Sequence, residues 1–279
     1  VYRCYCTPER LELLREEQRQ ASLPPRYDGH CRDLSDDEWR AHSADGTPFV
    51  WRFRRPESMV FSVPVSPGSV QEVAMQHFYD FPLTRADESF TFLFSNVVDD
   101  IEMGITHVIR GQDHQTNTGA QAALYYAFGA PWPLFVHLPL LCGVGGKKLS
   151  KRDAGFSLAE VQAAGIVPAA LKHYLLTLGS TTIDHLMSDA DLVALPFFER
   201  LSSSMITYDL AALRSVNKRY LAGLPLEQVI AELVQFDDLA GGELRGVPIT
   251  RLQGIVTLLR GEVATLSEMV AMIVRVTKK

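Results

Sequence analysis

Residues 106–141 read THVIRGQDHQTNTGAQAALYYAFGAPWPLFVHLPLL, and they carry the clearest secondary-structure pattern in the chain. Residues 106–109, Thr-His-Val-Ile, predict a short strand. Residues 116–128 repeat small and apolar side chains at helical spacing, and residues 135–141 are apolar enough for an interior strand. A strand, a helix and a strand in this order predict a βαβ unit with parallel strands, and therefore an α/β fold.

Toward the N-terminus the pattern is more mixed. Residues 90–94, Phe-Thr-Phe-Leu-Phe, predict a buried strand, and residues 95–103 predict a helix or a tight turn. Residues 7–9 are a hydroxyl cap, a proline at the first helical position and an acid in the first turn, which predict a helix that runs to about residue 21. Between residues 26 and 70, short apolar runs predict small antiparallel strands and loops.

After residue 151 the sequence becomes helical in pattern. Helical spacing is present in residues 157–164, 168–178, 189–195, 209–215 and 225–234. Residues 249–276 predict one or two amphipathic helices. The glycine-rich segment 241–246 is the best candidate for a linker.

The composition excludes several classes of protein. No stretch approaches the roughly 18 uninterrupted apolar residues that a membrane helix needs. The net charge of −6, from 27 basic and 33 acidic side chains, argues against binding of nucleic acid by bulk electrostatics. The four cysteines, Cys4, Cys6, Cys31 and Cys142, are too few for a disulfide scaffold, so we expect a reducing compartment, the cytoplasm.

A loop rich in glycine and lysine is the most informative single stretch. It reads Gly145-Gly-Lys-Lys-Leu-Ser-Lys-Arg152, and its lysines and serine hydroxyl are suited to hold a polyphosphate. The spacing does not fit the G-x-x-x-x-G-K-[ST] pattern of a P-loop ATPase. Taken alone, the string is equally typical of a solvated basic hairpin turn.

Polar residues at the ends of predicted strands form a second candidate site. They are Asn96, Asp99 and Asp100, followed by the run from Ile105 to His114. Open α/β sheets bind ligands at the ends of their strands, and Arg110 is able to clamp a carboxylate there. The alternative is structural: Asp99 and Asp100 cap a helix or turn, and Arg110 pairs with one of them.

Together the two stretches resemble the class I aminoacyl-tRNA synthetases of the glutamyl and glutaminyl branch. Lys148-Leu-Ser-Lys-Arg152 is similar to the K-M-S-K-S signature of class I enzymes, in the K-L-S-K-R form of this branch. Further segments resemble glutamyl-tRNA synthetases in order and spacing: Asn96 to Asp100, Met103 to Gly111, Leu138 to Leu141, Cys4 to Thr7, Arg26 to Arg32, Phe198 to Ser202, Tyr208 to Leu210 and Asn217 to Leu221. The likeness covers nearly the whole chain and is weakest over residues 46–76.

The resemblance implies roles for individual residues. The implied catalytic residues are Lys148, Ser150 and Lys151. The residues implied to bind the amino acid are Phe92, Asn96 and Arg110, and those implied to bind ATP are Asp113, His114, Lys148 and Lys151. Lys151 is expected to steady the phosphates as the adenylate forms, and such preorganised groups contribute about 3 kcal/mol each. Relatives usually have tyrosine at the position of Phe92 and often two acids after Arg110-Gly111, so this chain departs from the pattern at both places.

The resemblance also implies a zinc site near the N-terminus. The residues that match the zinc-binding insertion of some bacterial relatives are Cys4, Cys6, Tyr27 and Cys31. Three thiolates and one oxygen or nitrogen donor suit tetrahedral zinc. The fourth ligand stays open at this point, because His30 and Asp33 are further candidates besides Tyr27. The alternative is that the three thiols only pack.

The implied architecture is the second half of a Rossmann-type catalytic domain with an inserted α+β module and a mainly helical region after it. Residues 1–75 would be the acceptor-end-binding insertion, residues 76–152 the catalytic half, residues 153–240 the stem-contact region, and residues 241–279 the start of a helical anticodon-binding domain. None of the eight histidines forms the H-x-G-H motif with which class I enzymes bind ATP. The chain, which has no initiating methionine, is therefore expected to be an internal fragment that is inactive alone.

The resulting prediction is a glutamate–tRNA ligase. It uses ATP with Mg²⁺ and binds zinc, acts on glutamate and tRNA(Glu), is monomeric, and does not contact a membrane. One alternative is the short paralogue that glutamylates a modified base of tRNA(Asp); it shares the cysteine pattern but stops soon after the lysine loop. Another is a tRNA-binding remnant without catalysis, which the absent H-x-G-H and Phe92 favour and the intact lysine loop opposes.

Overall fold

The computed structural model describes residues 1–143, 145–146, 149, 157–178, 187–195 and 205–277. The chain divides into two units, Val1–Leu138 and Pro139–Lys279, each with its own core. Within the described residues, no helix is both long and apolar enough to cross a membrane.

The first unit combines short strands with helices. Its elements are β1 (Tyr2–Cys4), α1 (Pro8–Gln20), α2 (Asp36–Ala44), β2 (Val50–Phe53), β3 (Val60–Ser66), β4 (Ser69–Ala74), β5 (Phe81–Pro82), α3 (Phe92–Glu102), β6 (His107–Gly111), α4 (Asn117–Phe128) and β7 (Leu134–Leu138). Strands β1, β2 and β5 form one antiparallel sheet, and β3 and β4 form an antiparallel hairpin. The small antiparallel strands predicted between residues 26 and 70 are thereby confirmed.

The predicted βαβ unit is confirmed. Strands β6 and β7 pair in parallel, with His107 opposite Leu134 and Gly111 opposite Leu138. The intervening helix α4 is buried over most of its length, and it ends at Gly129, whose φ of 67° is the left-handed conformation favoured at a helix C-terminus. Because β6 and β7 run the same way, the side chains at their carboxyl ends lie at one edge of the sheet.

The predicted strand over residues 90–94 is wrong. Helix α3 already begins at Phe92, and Phe90 makes only an isolated bridge to Thr84. The buried Val97 and the partly buried Leu93 face the core at helical spacing. Phe92 points away from it and is 53% exposed. A short apolar run fits a strand and a helix start equally well, and here the helical period prevails.

At the N-terminus, the predicted helix is confirmed as α1, and the Thr7 hydroxyl accepts a hydrogen bond from the Arg10 backbone N–H. Helix α2 was not predicted. It begins at a capping box, in which the Ser35 hydroxyl and the Glu38 carboxylate each bond the other residue's backbone N–H.

The second unit is mainly helical. Its elements are β8 (Leu141–Cys142), α5 (Leu158–Ala163), α6 (Pro168–Thr177), α7 (Asp189–Val193), β9 (Ile206–Thr207), α8 (Leu210–Gly223), α9 (Leu226–Ala240), α10 (Ile249–Leu259) and α11 (Leu266–Thr277). All the helices predicted after residue 151 are present, and residues 249–276 form two helices. The buried Asn217 ties this core together, because its side chain bonds the backbone of Val167, Gly165 and Ala264.

Candidate amino-acid pocket and thiol cluster

Arg110 is the centre of a hydrogen-bonded network at the end of β6. Its guanidinium donates from one Nη to Gln121 Oε1 at 2.5 Å and from the other to Thr118 Oγ1 at 2.8 Å. Thr118 and Gln121 lie three residues apart on α4, so their side chains share one face of the helix, and each is only 1% exposed. The βαβ unit therefore positions the arginine from two sides.

The network extends to two further elements. Gln121 Nε2 donates to Asn96 Oδ1 of α3 at 2.7 Å. On β7, His137 Nε2 lies 3.4 Å from Arg110 Nε and 3.0 Å from Thr118 Oγ1. Because arginine only donates, His137 accepts at Nε2. The structure thus brings together two predicted substrate residues, Asn96 and Arg110.

The charge of Arg110 is attracted by that of Asp100, but no carboxylate among the described residues pairs with it. Among the described residues, Arg110 forms no ion pair, so the alternative in which it pairs with Asp99 or Asp100 is not observed. Burial lowers the pKa of Arg110, with the charge of Asp100 acting against it. Burial, followed by the charges of Arg110 and His114, lowers the pKa of His137 to about 4. A cation held by neutral acceptors is suited to bind a carboxylate.

The residues predicted to lie near ATP follow directly after β6. Residues Gln112–His114 form a single 3-10 turn. His114 Nδ1 lies 3.2 Å from Asn117 Nδ2, and the His114 ring lies 6.3 Å from the Phe92 ring. Asp113 and His114 are exposed. The turn therefore presents both side chains at the same edge of the sheet as Arg110.

The predicted metal residues form a compact cluster. The sulfur atoms of Cys4, Cys6 and Cys31 all lie within 4.8 Å of one another, and those of Cys6 and Cys31 are 3.6 Å apart. The Tyr27 hydroxyl lies 3.4 Å from Cys4 Sγ and 3.9 Å from Cys6 Sγ. It also accepts the Cys31 backbone N–H at 2.9 Å, which fixes the phenol among the thiols.

These distances fit a tetrahedral zinc ion. Zinc–sulfur bonds of about 2.3 Å place two sulfur ligands about 3.8 Å apart, and a zinc–oxygen bond of about 2.0–2.2 Å places oxygen about 3.5–3.7 Å from sulfur. The cluster matches both separations to within a few tenths of an ångström at the measured pairs. Three sulfur atoms and one phenol oxygen complete four donors.

Neither of the two other candidates for the fourth ligand joins the thiols. Asp33 pairs with Arg54 at 2.8 Å. His30 is exposed and lies outside the group of potential ligands within the described residues. The geometry therefore favours Tyr27 over both.

A buried arginine gives the cluster a positive neighbour. Arg52 is 5% exposed, and its guanidinium carbon lies 3.8 Å from the centre of the Tyr27 ring. Burial would raise the pKa of Cys4, but hydrogen bonds from Tyr27 and Arg52 outweigh burial, so this pKa is lowered. Burial and the neighbouring Cys4 raise the pKa of Cys6 to about 12. One thiol of the cluster therefore ionises far more readily than its neighbour.

Three predicted catalytic residues, Lys148, Ser150 and Lys151, lie outside the described residues. Conversely, sequence reasoning missed Thr118, Gln121 and His137. The sequence does mark Gln121 as a candidate, because it is a polar residue within the otherwise apolar helical run from Ala120 to Leu124. His137 likewise interrupts an apolar strand. Each is polar at a position where the pattern requires a buried side chain.

Comparison with known families identifies the chain's relatives. The sequence model described as "tRNA synthetases class I (E and Q), catalytic domain" matches residues 1–214. The chain belongs to this family. Two solved structures share the fold of this synthetase. A glutamate–tRNA synthetase from Elizabethkingia anophelis superposes with a TM-score of 0.81 at 23% identity, over 97% of this chain and 60% of its own.

The second structure is a glutamate–tRNA ligase from Elizabethkingia meningosepticum in complex with its amino acid. It has the same TM-score of 0.81 and the same identity of 23%, over 97% of this chain and 59% of its own. This synthetase chain therefore spans about 60% of the length of these structures. At such identity the superposition shows the fold, which is the class I catalytic-domain fold of mixed helices and strands.

Proposed function

We propose that the chain is part of a glutamate–tRNA ligase, which activates glutamate with ATP and transfers it to tRNA(Glu). The observation that carries this proposal is the desolvated Arg110, whose guanidinium is held by neutral acceptors and by no carboxylate among the described residues. A partly buried cation without a paired carboxylate favours an anionic ligand. Family membership makes a substrate carboxylate the natural one.

In this proposal Arg110 and Asn96 bind the amino acid, with Phe92 at the pocket rim. The absence of a hydroxyl at Phe92 removes one hydrogen bond, which is worth about 1 kcal/mol. Asp113 and His114 contact ATP together with Lys148 and Lys151, while Ser150 supports the lysine loop and Mg²⁺ accompanies the phosphates. The roles of the loop residues depend on the K-L-S-K-R sequence alone.

The N-terminal module, residues 1–75, is proposed to bind the tRNA acceptor end. Cys4, Cys6, Tyr27 and Cys31 would hold zinc within it. These residues lie on β1, just after it, and in the loop around residues 27–31, so zinc held by them would contribute to folding rather than to the reaction. Residues 76–152 would form the catalytic half, residues 153–240 the stem-contact region, and residues 241–279 the start of the anticodon-binding helices of a monomeric enzyme.

The amino-acid pocket is tested by ligand binding to the full chain. We expect L-glutamate to bind more tightly than L-glutamine, and Arg110→Gln to abolish the preference. Arg54→Gln is the matched control, because Arg54 lies in the same unit but pairs on the surface with Asp33. Equal binding of glutamate and glutamine by the wild type would overturn the assignment.

Catalysis and tRNA choice need separate measurements. Because no H-x-G-H motif is present, we propose that the chain alone does not activate glutamate. Glutamate-dependent pyrophosphate exchange above background, with tRNA added, would refute this. Filter binding with tRNA(Glu) and tRNA(Asp) distinguishes the ligase from the tRNA(Asp)-modifying paralogue, since a preference for tRNA(Asp) would favour the paralogue.

A further inference from the structure

We propose that Gln121 determines the charge specificity of the pocket, by holding Arg110 with a neutral oxygen and orienting Asn96 as a donor. Gln121 is a positioning residue on α4 that the sequence resemblance does not single out. The inference rests on the proposed function, in which Arg110 and Asn96 receive the substrate.

Arg110 determines the direction of both hydrogen bonds that Gln121 makes. A guanidinium has no acceptor, so Gln121 must turn its Oε1 toward Arg110, at 2.5 Å. Its Nε2 then faces Asn96 Oδ1 at 2.7 Å, which leaves Asn96 Nδ2 as the group able to meet a ligand. Within the described residues that Nδ2 has no protein partner.

The consequence is a pocket that offers donors from two elements. Arg110 presents N–H groups from β6, and Asn96 presents its NH₂ from α3. A carboxylate only accepts hydrogen bonds, whereas a carboxamide also brings an NH₂ that needs an acceptor. The arrangement therefore favours an acidic side chain over its amide.

The neutrality of Gln121 is as important as its orientation. A glutamate side chain in place of Gln121 would have nearly the same shape. Its carboxylate would neutralise Arg110 from within the fold. The same unit shows such a neutralised arginine elsewhere: Arg32 pairs with the buried Asp80 at 2.7 Å. The cation of Arg110 is instead left for a ligand.

The test compares Gln121→Glu with Gln121→Met in the full chain, using two readouts. Binding of L-glutamate and L-glutamine is measured by titration. We expect Gln121→Glu to weaken glutamate binding by about tenfold to a hundredfold, more than Gln121→Met does, and to lose the preference over glutamine. If Gln121 only packs, the isosteric Gln121→Glu variant will bind like the wild type and better than Gln121→Met, which overturns the proposal.

The second readout does not need a ligand. The pKa of the introduced carboxyl is measured by carbon-13 NMR. If no carboxylate pairs with Arg110, its guanidinium should lower the pKa of the introduced carboxyl below the ordinary glutamate value of about 4.3. A raised pKa, or a variant that does not fold near neutral pH, would show that Arg110 offers no free charge and would overturn the proposal. If the wild type binds no glutamate, the proposed function fails, and this pKa still decides the role of Gln121.

Discussion

Removing the proposed zinc ligands Cys4 and Cys6 should release the N-terminal helix. The hydrophobic cluster around the cysteines is small, with Cys4, Tyr5 and Cys31 as its buried members. Helix α1 contributes no buried residue of its own. The chain just before its Thr7 cap carries the cysteines. The polar contacts of the helix include a partly exposed pair between Arg10 and Asp28 at 2.6 Å and two hydrogen bonds between the Gln18 side chain and the backbone of Arg26. We expect Cys4→Ser with Cys6→Ser to abolish zinc binding, because two of four donors are lost.

The size of the effect follows from binding linkage. An ion that binds only the folded module at about one hundred times its dissociation constant stabilises it by about 2.7 kcal/mol. Losing this stabilisation raises the fraction of molecules with an open module about a hundredfold. When opening and closing are fast relative to cleavage, the rate of proteolysis follows this fraction. The exposed pair of Arg10 and Asp28 offsets little of this loss, since such pairs contribute at most about 1 kcal/mol.

The assay is elemental analysis followed by limited trypsin digestion. The wild type should hold about one zinc ion per chain, as a single tetrahedral site requires. The double variant should hold none and should be cut about a hundredfold faster at Arg10, Arg15 and Arg19. Cys142→Ser is the matched control, since this buried cysteine lies in the other unit. A metal-free wild-type chain that resists trypsin at α1 would show that the thiols only pack.

Three further outcomes are expected. In an active synthetase that contains this chain, Lys151→Ala should slow adenylate formation in single-turnover kinetics by about a hundredfold, with a smaller effect on glutamate binding; an unchanged rate would contradict its proposed role. The pKa of His137 is lowered to about 4 by burial and by nearby cations, so the unfolded chain binds the extra proton and stability falls as pH drops from about 6.5 to about 4. His137→Gln should flatten that loss in urea unfolding, and an unchanged pH slope would argue against it. Gly165→Ala should destabilise the second unit by about 2–4 kcal/mol, because φ is +77° and the new Cβ would lie 2.5 Å from Ser267 N. Gly254→Ala, in open space within α10, should instead stabilise it by about 0.5–1 kcal/mol in the same melts, and equal effects of the two would refute the steric argument.

Local patterns predicted much of the fold because they act over a few residues. The cap at Thr7 determines where α1 begins, and parallel β6 and β7 follow from a helix between two apolar runs. The error at residues 90–94 has the opposite cause. Five residues are too few to separate a period of two from a period near four, and only the packing of Val97 against the core decides between them.

The candidate sites were predictable as residue types and not as geometry. The family resemblance assigned a role in substrate binding to Arg110 and to Asn96 separately. In the structure, Gln121 on a third element hydrogen-bonds to both, and no local pattern reveals this contact. The resemblance pointed to Tyr27 as the fourth donor, and His30 and Asp33 were further candidates in the sequence. Only the folded loop separates them, since the hydroxyl of Tyr27 reaches the sulfurs and the Asp33 carboxylate turns to Arg54.

Arginines show most clearly what the fold adds to the sequence. Arg32, Arg52 and Arg110 are largely removed from solvent in the first unit, and nothing local distinguishes their roles. Arg32 pairs with Asp80, so its charge is neutralised inside the fold. Arg52 and Arg110 have no carboxylate partner within the described residues; one lies against the thiol cluster and the other against the pocket network. Burying a cation without an ion pair costs stability. In the function proposed above, both arginines gain a negative partner from what binds beside them: Arg52 from thiolates that would hold a metal, and Arg110 from a substrate carboxylate.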